Sequence, residues 1–141
     1  MNIPILVGLH LKKDCKLHSG ESAYEIVKKF KSNNWIGVIG ACVSLEIIKK
    51  SLNEFKNLNL PFGFKANLWK VDEPLPVNKF NTAKYDEEGK NPNDILGFRK
   101  DVDEKVFKNF SKEIMSGGAT ILGGCCNVSP LHINELKLLK N

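Results

Sequence analysis

Gly117-Gly118-Ala119-Thr120-Ile121-Leu122-Gly123-Gly124-Cys125-Cys126-Asn127-Val128-Ser129-Pro130-Leu131-His132-Ile133 carries two adjacent cysteines at the end of a short apolar run. Ala119 to Leu122, bounded by glycines, reads as a buried strand, and Ser129 followed by Pro130 reads as an N-cap with proline at the first helical position. The cysteines therefore fall in a strand-to-helix turn. In parallel α/β folds that turn lies at the carboxyl edge of the sheet, where sites are built. Gly123 and Gly124 allow a tight turn that bulkier residues would obstruct.

Outward from this turn, the chain alternates strand and helix signals. Ile3 to Leu9 reads as a strand, followed by a polar loop from Lys12 to Gly20 that contains Cys15 and His18. Ser22-x-x-Glu25 is a capping box, after which Ala23, Ile26, Val27 and Phe30 recur at helical spacing. Trp35 to Gly40 reads as a second strand ending at Ala41-Cys42, and Ser44 caps a helix with Leu45, Ile48, Leu52 and Phe55 on one face. Pro61 to Ala66 is the third strand candidate. Asp101-x-x-Glu104 opens a helix that directs Val102, Val106, Phe107, Phe110 and Ile114 inward, and Pro130 to Leu139 is the last helix. Four βα units in succession predict an α/β fold with a parallel sheet. A long loop at about residues 67–100 has no sustained period and carries Pro74, Pro76 and Pro92; a loop of that length is functional or disordered.

Length and composition narrow the class. With 141 residues and 42% apolar side chains, the chain suits a single domain, 1–141. It has no run apolar enough to span a bilayer, and its first residues lack a basic secretory leader, so a soluble cytoplasmic protein is expected without membrane partners. The net charge of +5 comes from scattered lysine pairs such as Lys28-Lys29 and Lys49-Lys50, and Arg99 is the only arginine. Base readout leans on arginine, so nucleic acid is not an expected partner. Four cysteines in such a chain point to metal ligation or catalysis before disulfides.

Gly123-Gly124-Cys125-Cys126 followed by Pro130-x-His132-Ile133 closely resembles the C-terminal motif of the homocysteine S-methyltransferase family, commonly Gly-Gly-Cys-Cys-Gly-Thr-x-Pro-x-His-Ile. The resemblance implies a (β/α)8 barrel of the TIM type, in which one cysteine after the sixth strand and an adjacent pair after the eighth hold zinc (Zn2+). Such a barrel takes about 250 residues. By resemblance the four βα units here are strands five to eight, its C-terminal half, and Cys42, Cys125 and Cys126 are the metal ligands. The implied reaction moves a methyl group from an unidentified donor to the zinc-bound thiolate of homocysteine, giving methionine.

The family usually has asparagine where Ala41 stands, which removes an amide near the site. Asn67 matches the asparagine of a Pro-Asn-x-Gly segment and is the candidate substrate-binding residue, with turn formation as its other reading. Asn127 replaces a glycine and can take the left-handed conformation that the turn demands. His132 is expected to pack and hydrogen-bond rather than ligate. His10 and His18 lie near the strand-end edge, and Cys15 is expected to be an incidental surface thiol.

Barrel strands cut from their neighbours would leave open edges and bare the faces of Ile5, Val7, Ile36, Val38, Phe62, Phe64 and Ile121. The expected cover is an N-terminal half-barrel chain or a second copy. A zinc-binding remnant without catalysis, and a thiol redox protein using Cys125 and Cys126, are the alternatives. The redox reading is the weaker because adjacent cysteines close a strained ring.

Overall fold

A computed structural model describes residues 3–70 and 96–139. Most of the expected long loop, with Pro74, Pro76 and Pro92, lies outside the described residues. Four strands, β1 (Ile5–Leu9), β2 (Trp35–Val43), β3 (Phe62–Ala66) and β4 (Ile121–Gly124), pair in sequence order, all parallel. Between and after them run the helices α1 (Ala23–Phe30), α2 (Leu45–Lys56), α3 (Glu104–Ser116) and α4 (Pro130–Leu136). A 3₁₀ turn, Lys137–Leu139, takes up the end of the expected last helix. Right-handed crossovers between strands in sequence order put every helix on the same side of the sheet. Neighbouring helices pack on one another accordingly.

Local chemistry sets the helix starts. Ser22 caps α1 in a capping box with Glu25, Ser44 accepts from Ile47 N–H, and Ser129 caps α4 ahead of Pro130. The third helix departs from expectation. Its cap is Asp103, which accepts from Val106 N–H at 2.8 Å, because Asp101 is engaged by the Arg99 guanidinium at 2.8 Å. That two-residue shift leaves Val102 buried ahead of the helix and turns Val106 outward, 43% exposed.

Among the described residues only one face of the sheet is covered. Val7, Val38, Phe62, Phe64 and Leu122 point toward the helices, and Phe55 of α2, fully buried, packs its ring 6.3 Å from Phe62 and 5.0 Å from Phe64. The expectation that Val7, Val38, Phe62 and Phe64 would line the bare face is therefore corrected. These strands are apolar on both faces, which removes the alternation that tells one from the other. The bare face is built in rows. Leu6 lies beside Gly37; Gly8, Ile39, Gly63 and Ile121 form the next row; Ala41, Lys65 and Gly123 form the last. Leu6 remains 43% exposed. Glycine is obligatory in the middle of this face, where a Cβ on Gly63 would stand 1.7 Å from the Ile121 carbonyl oxygen.

Candidate metal centre

Cys42 owes its position to a β-bulge. Ala41 pairs with Lys65 and Val43 with Ala66, so Cys42 is the extra residue of β2, and its φ of 56° is left-handed. For a residue with a Cβ this conformation costs about 1–2 kcal/mol. Asn67 holds it in place: buried at 2% exposure, it donates from Nδ2 to the Cys42 carbonyl at 2.8 Å and accepts at Oδ1 from Trp69 N–H at 3.3 Å. Its own N–H donates to Val43 O at 3.0 Å. The side chain thus works as a turn former directly beneath Cys42.

The cysteine pair is held from the other side. Cys125 N–H donates to Ala66 O at 2.7 Å, continuing the β3–β4 pairing past Gly124, and Leu68 N–H donates to Cys126 O at 3.0 Å. Val128 N–H closes a turn on Cys125 O at 3.1 Å, and Asn127 within it takes a φ of 63°, as its replacement of glycine requires. A Cβ on Gly124 would lie 2.2 Å from Val128 Cγ1, so no side chain fits there. Asn127 Nδ2 also donates to Gly97 O at 3.2 Å, and Arg99 N–H to Leu68 O at 3.0 Å. Residues from both ends of the long loop therefore frame the pair, helped by an antiparallel bridge between Trp69 and Phe98. Nothing local in the sequence marks Gly97 or Leu68 for this role, because both act through backbone groups across a long chain separation.

The result is a cluster of three half-buried thiols. Cys42 Sγ lies 3.8 Å from Cys126 Sγ, Cys125 Sγ lies 3.8 Å from Cys126 Sγ, and all three sulfurs fall within 4.8 Å of one another. A tetrahedral centre with zinc–sulfur bonds of about 2.3 Å needs sulfurs about 3.8 Å apart. A disulfide would need about 2.05 Å. Among the described residues this is the one grouping of His, Cys, Asp and Glu that could hold a metal ion. Burial pushes the Cys42 thiol well above its ordinary value, with Cys125 beside it adding to the shift, and burial followed by the nearby Cys125 raises Cys126. Gathering anionic sulfurs here is unfavourable without a cation, and a soft divalent cation reverses that balance.

The other singled-out residues stay apart. His132, 4% exposed, accepts at Nδ1 from Ser129 N–H at 3.2 Å and from Ser129 Oγ at 2.7 Å, while Nε2–H donates to Val102 O at 3.2 Å. It fills the position of the capping-box acid in α4 and packs edge-on to Phe107. His10 and His18 stack edge to face, 5.7 Å between centroids, outside the cysteine cluster. Cys15 is not the surface thiol expected: half-buried at a φ of 62°, it packs against the core.

A parallel α/β sheet brings three cysteines together at its carboxyl edge as a candidate metal site. Residues 1–139 match the homocysteine S-methyltransferase family, and the chain belongs to that family. It is therefore methyltransferase-like in class. Neither the curated proteins nor the solved structures provide a match. No helix among the described residues is long and apolar enough to cross a membrane.

Proposed function

We propose that this chain is the zinc-binding half of a homocysteine S-methyltransferase, with Cys42, Cys125 and Cys126 as the metal ligands. The observation that carries the reading is the meeting of three sulfurs from two strand ends at zinc-compatible spacing, in a chain of this family. Zinc, when bound, supplies the Lewis acidity that keeps a coordinated substrate thiol deprotonated at neutral pH. Cys42, Cys125 and Cys126 would hold the ion and leave room for that thiol as a further donor, with homocysteine as acceptor and methionine as product. The chain's own contribution is to hold the three sulfurs in place through the Cys42 bulge and the Asn127 turn. Asn67 has a second amide hydrogen beyond the one given to Cys42 O, and that hydrogen is its means of touching substrate. Closely spaced free thiols persist in a reducing compartment, which favours the cytoplasm.

The sheet face and the edges at β1 and β4 left bare among the described residues support a half of a (β/α)8 barrel, completed by an N-terminal half-barrel that also supplies the substrate-binding groups missing here. Without that half, the chain binds metal but does not turn over. A second copy would cover the same face yet only duplicate the cysteine site. Metal analysis of the purified chain tests the core of the reading. The wild type should bind one zinc, Cys126→Ala should lose it, and Cys15→Ala should keep it. Loss in the Cys15 variant with retention in the Cys126 variant would refute the ligand assignment. Sedimentation tests the barrel: a stable monomer that needs no partner would refute the half-barrel.

A further inference from the structure

Of 21 Lys and Arg residues in the chain, Arg99 alone is arginine. Its guanidinium is shared between two carboxylates: Nη1 donates to Glu46 Oε1 at 2.5 Å, while Nε and Nη2 fork onto Asp101 at 3.3 and 2.8 Å. An isolated surface pair holds little, whereas a forked guanidinium whose side chain is 21% exposed holds one geometry. Glu46 is the acid in the first turn of α2, two residues past the Ser44 cap and four past Cys42. A carboxylate is favoured there by the partial positive charge of the helix N-terminus. The backbone around Arg99 serves the other strand end. Arg99 N–H donates to Leu68 O at 3.0 Å, and Leu68 N–H donates in turn to Cys126 O at 3.0 Å. Two residues earlier, Gly97 O accepts from Asn127 Nδ2 at 3.2 Å.

One residue thus grips the helix that follows Cys42 with its side chain and the turn that carries Cys125 and Cys126 with its backbone. We propose that Arg99 is a positioning residue of the metal centre: its ion pair with Glu46 ties the Cys42 side of the site to the cysteine-pair side and so maintains the spacing of the three sulfurs. This rests on the reading of those cysteines as metal ligands. Asn67 fixes the conformation of Cys42 itself, and Arg99 fixes how far Cys42 stands from its two companions. Asp101 keeps the guanidinium aimed at Glu46. A lysine ammonium, a point charge on a flexible stem, cannot fork onto one carboxylate while reaching a second in the same plane, which accounts for the single arginine.

Cobalt titration of the purified chain, followed by the sulfur-to-cobalt absorption bands, tests the assignment alongside thermal melts of the same metal-free variants. Groups that orient ligands are worth about 10–100-fold in metal affinity, and Arg99 acts one step further back, so Arg99→Met and Arg99→Lys should each weaken cobalt binding by about tenfold. Glu46→Gln should weaken it by a similar factor, and adding Arg99→Met to Glu46→Gln should cost little more, because the two residues make one bond. Lys108→Met removes a comparably sheltered ion pair, with Glu135, between α3 and α4. It should lower the melting temperature and leave cobalt affinity unchanged. Arg99→Met and Glu46→Gln chains that bind cobalt as tightly as the wild type, or a double variant whose losses add in full, overturn the role of Arg99 and leave the ligand assignment standing. An equal loss of affinity in Lys108→Met reduces the effect to general destabilisation and overturns it likewise. Where Arg99→Met does not fold, Arg99→Lys and Glu46→Gln carry the same comparison. A wild type that takes up no cobalt overturns the ligand reading and this one with it.

Discussion

Replacing Asn67 by Ala should loosen the proposed metal centre without touching a sulfur. The side chain is 2% exposed and satisfies two backbone groups, the Cys42 carbonyl at 2.8 Å and the Trp69 N–H at 3.3 Å. Leaving a buried polar group without a partner costs about 1–3 kcal/mol. Cys42 is half-buried, and water can reach part of its surroundings, so the pair of losses should come to about 2–4 kcal/mol. Against a typical total of about 5–15 kcal/mol this is a large fraction. For a chain of 141 residues, about 3 °C per kcal/mol translates it into a fall in Tm of about 6–12 °C. The Cys42 bulge also loses the bond that offsets its left-handed strain, so metal affinity should drop by about 10–100-fold, as for other groups that orient a ligand. Thermal melts of the metal-free chain and competition titrations with a zinc chelator measure the two effects separately. An Asn67→Ala chain that melts within about 1 °C of wild type and keeps its zinc affinity would refute the argument that Asn67 fixes Cys42.

Gly63→Ala places a Cβ 1.7 Å from a backbone oxygen of β4, which no rotamer change can relieve. It should cost at least about 3 kcal/mol and separate β3 from β4, seen as lost near-ultraviolet circular dichroism; a native spectrum would contradict the strand register. His10 should give the metal-free chain a pH dependence. Burial, and then the positive charge of His18, lowers its pKa in the folded state, so the unfolded chain binds the proton more readily. Stability is then full above the unfolded value of about 6.5 and is lost as pH falls through the lowered folded value. Denaturant titrations at pH 7.5 and 5.5 should show a smaller acid loss in His10→Gln than in wild type, and equal losses would exclude His10 as the source.

The elements that are legible in the sequence are those whose cause is local. The serine caps of α1, α2 and α4 and the helical spacing of Leu45, Ile48 and Phe55 each act within a few residues and stand in the structure as the sequence predicts, whereas the glycine-bracketed strand before Cys125 is present but half-buried and displaced by two residues, Ile121–Gly124 in place of Ala119–Leu122. The sulfur cluster was legible through resemblance, since no spacing rule joins Cys42 to residues more than eighty positions away. What escaped depends on choices that local chemistry leaves degenerate. Asp101 and Asp103 are equally good caps, and the pairing of Arg99 with Asp101, in a guanidinium also held by the distant Glu46, decides between them. Phe62 and Phe64 are as apolar as Ile39 and Ile121, so only strand register reveals which pair meets the helices.

The same division explains how the cysteine cluster is built. Each of its two strand ends uses one residue in the left-handed region, Cys42 itself and Asn127 beside the pair. Each of those residues is tied by an asparagine amide to a backbone carbonyl, Asn67 to Cys42 O and Asn127 to Gly97 O. The sulfurs are thus brought together by main-chain hydrogen bonds, and the strain at Cys42 is offset by a bond available only when β3 lies alongside β2. If the sheet alone gathers the three thiols, folding bears that cost, and the metal-free chain should melt cooperatively with its near-ultraviolet circular dichroism intact; a metal-free chain that is unfolded would instead place it with small zinc modules, whose folding free energy is the metal-binding free energy.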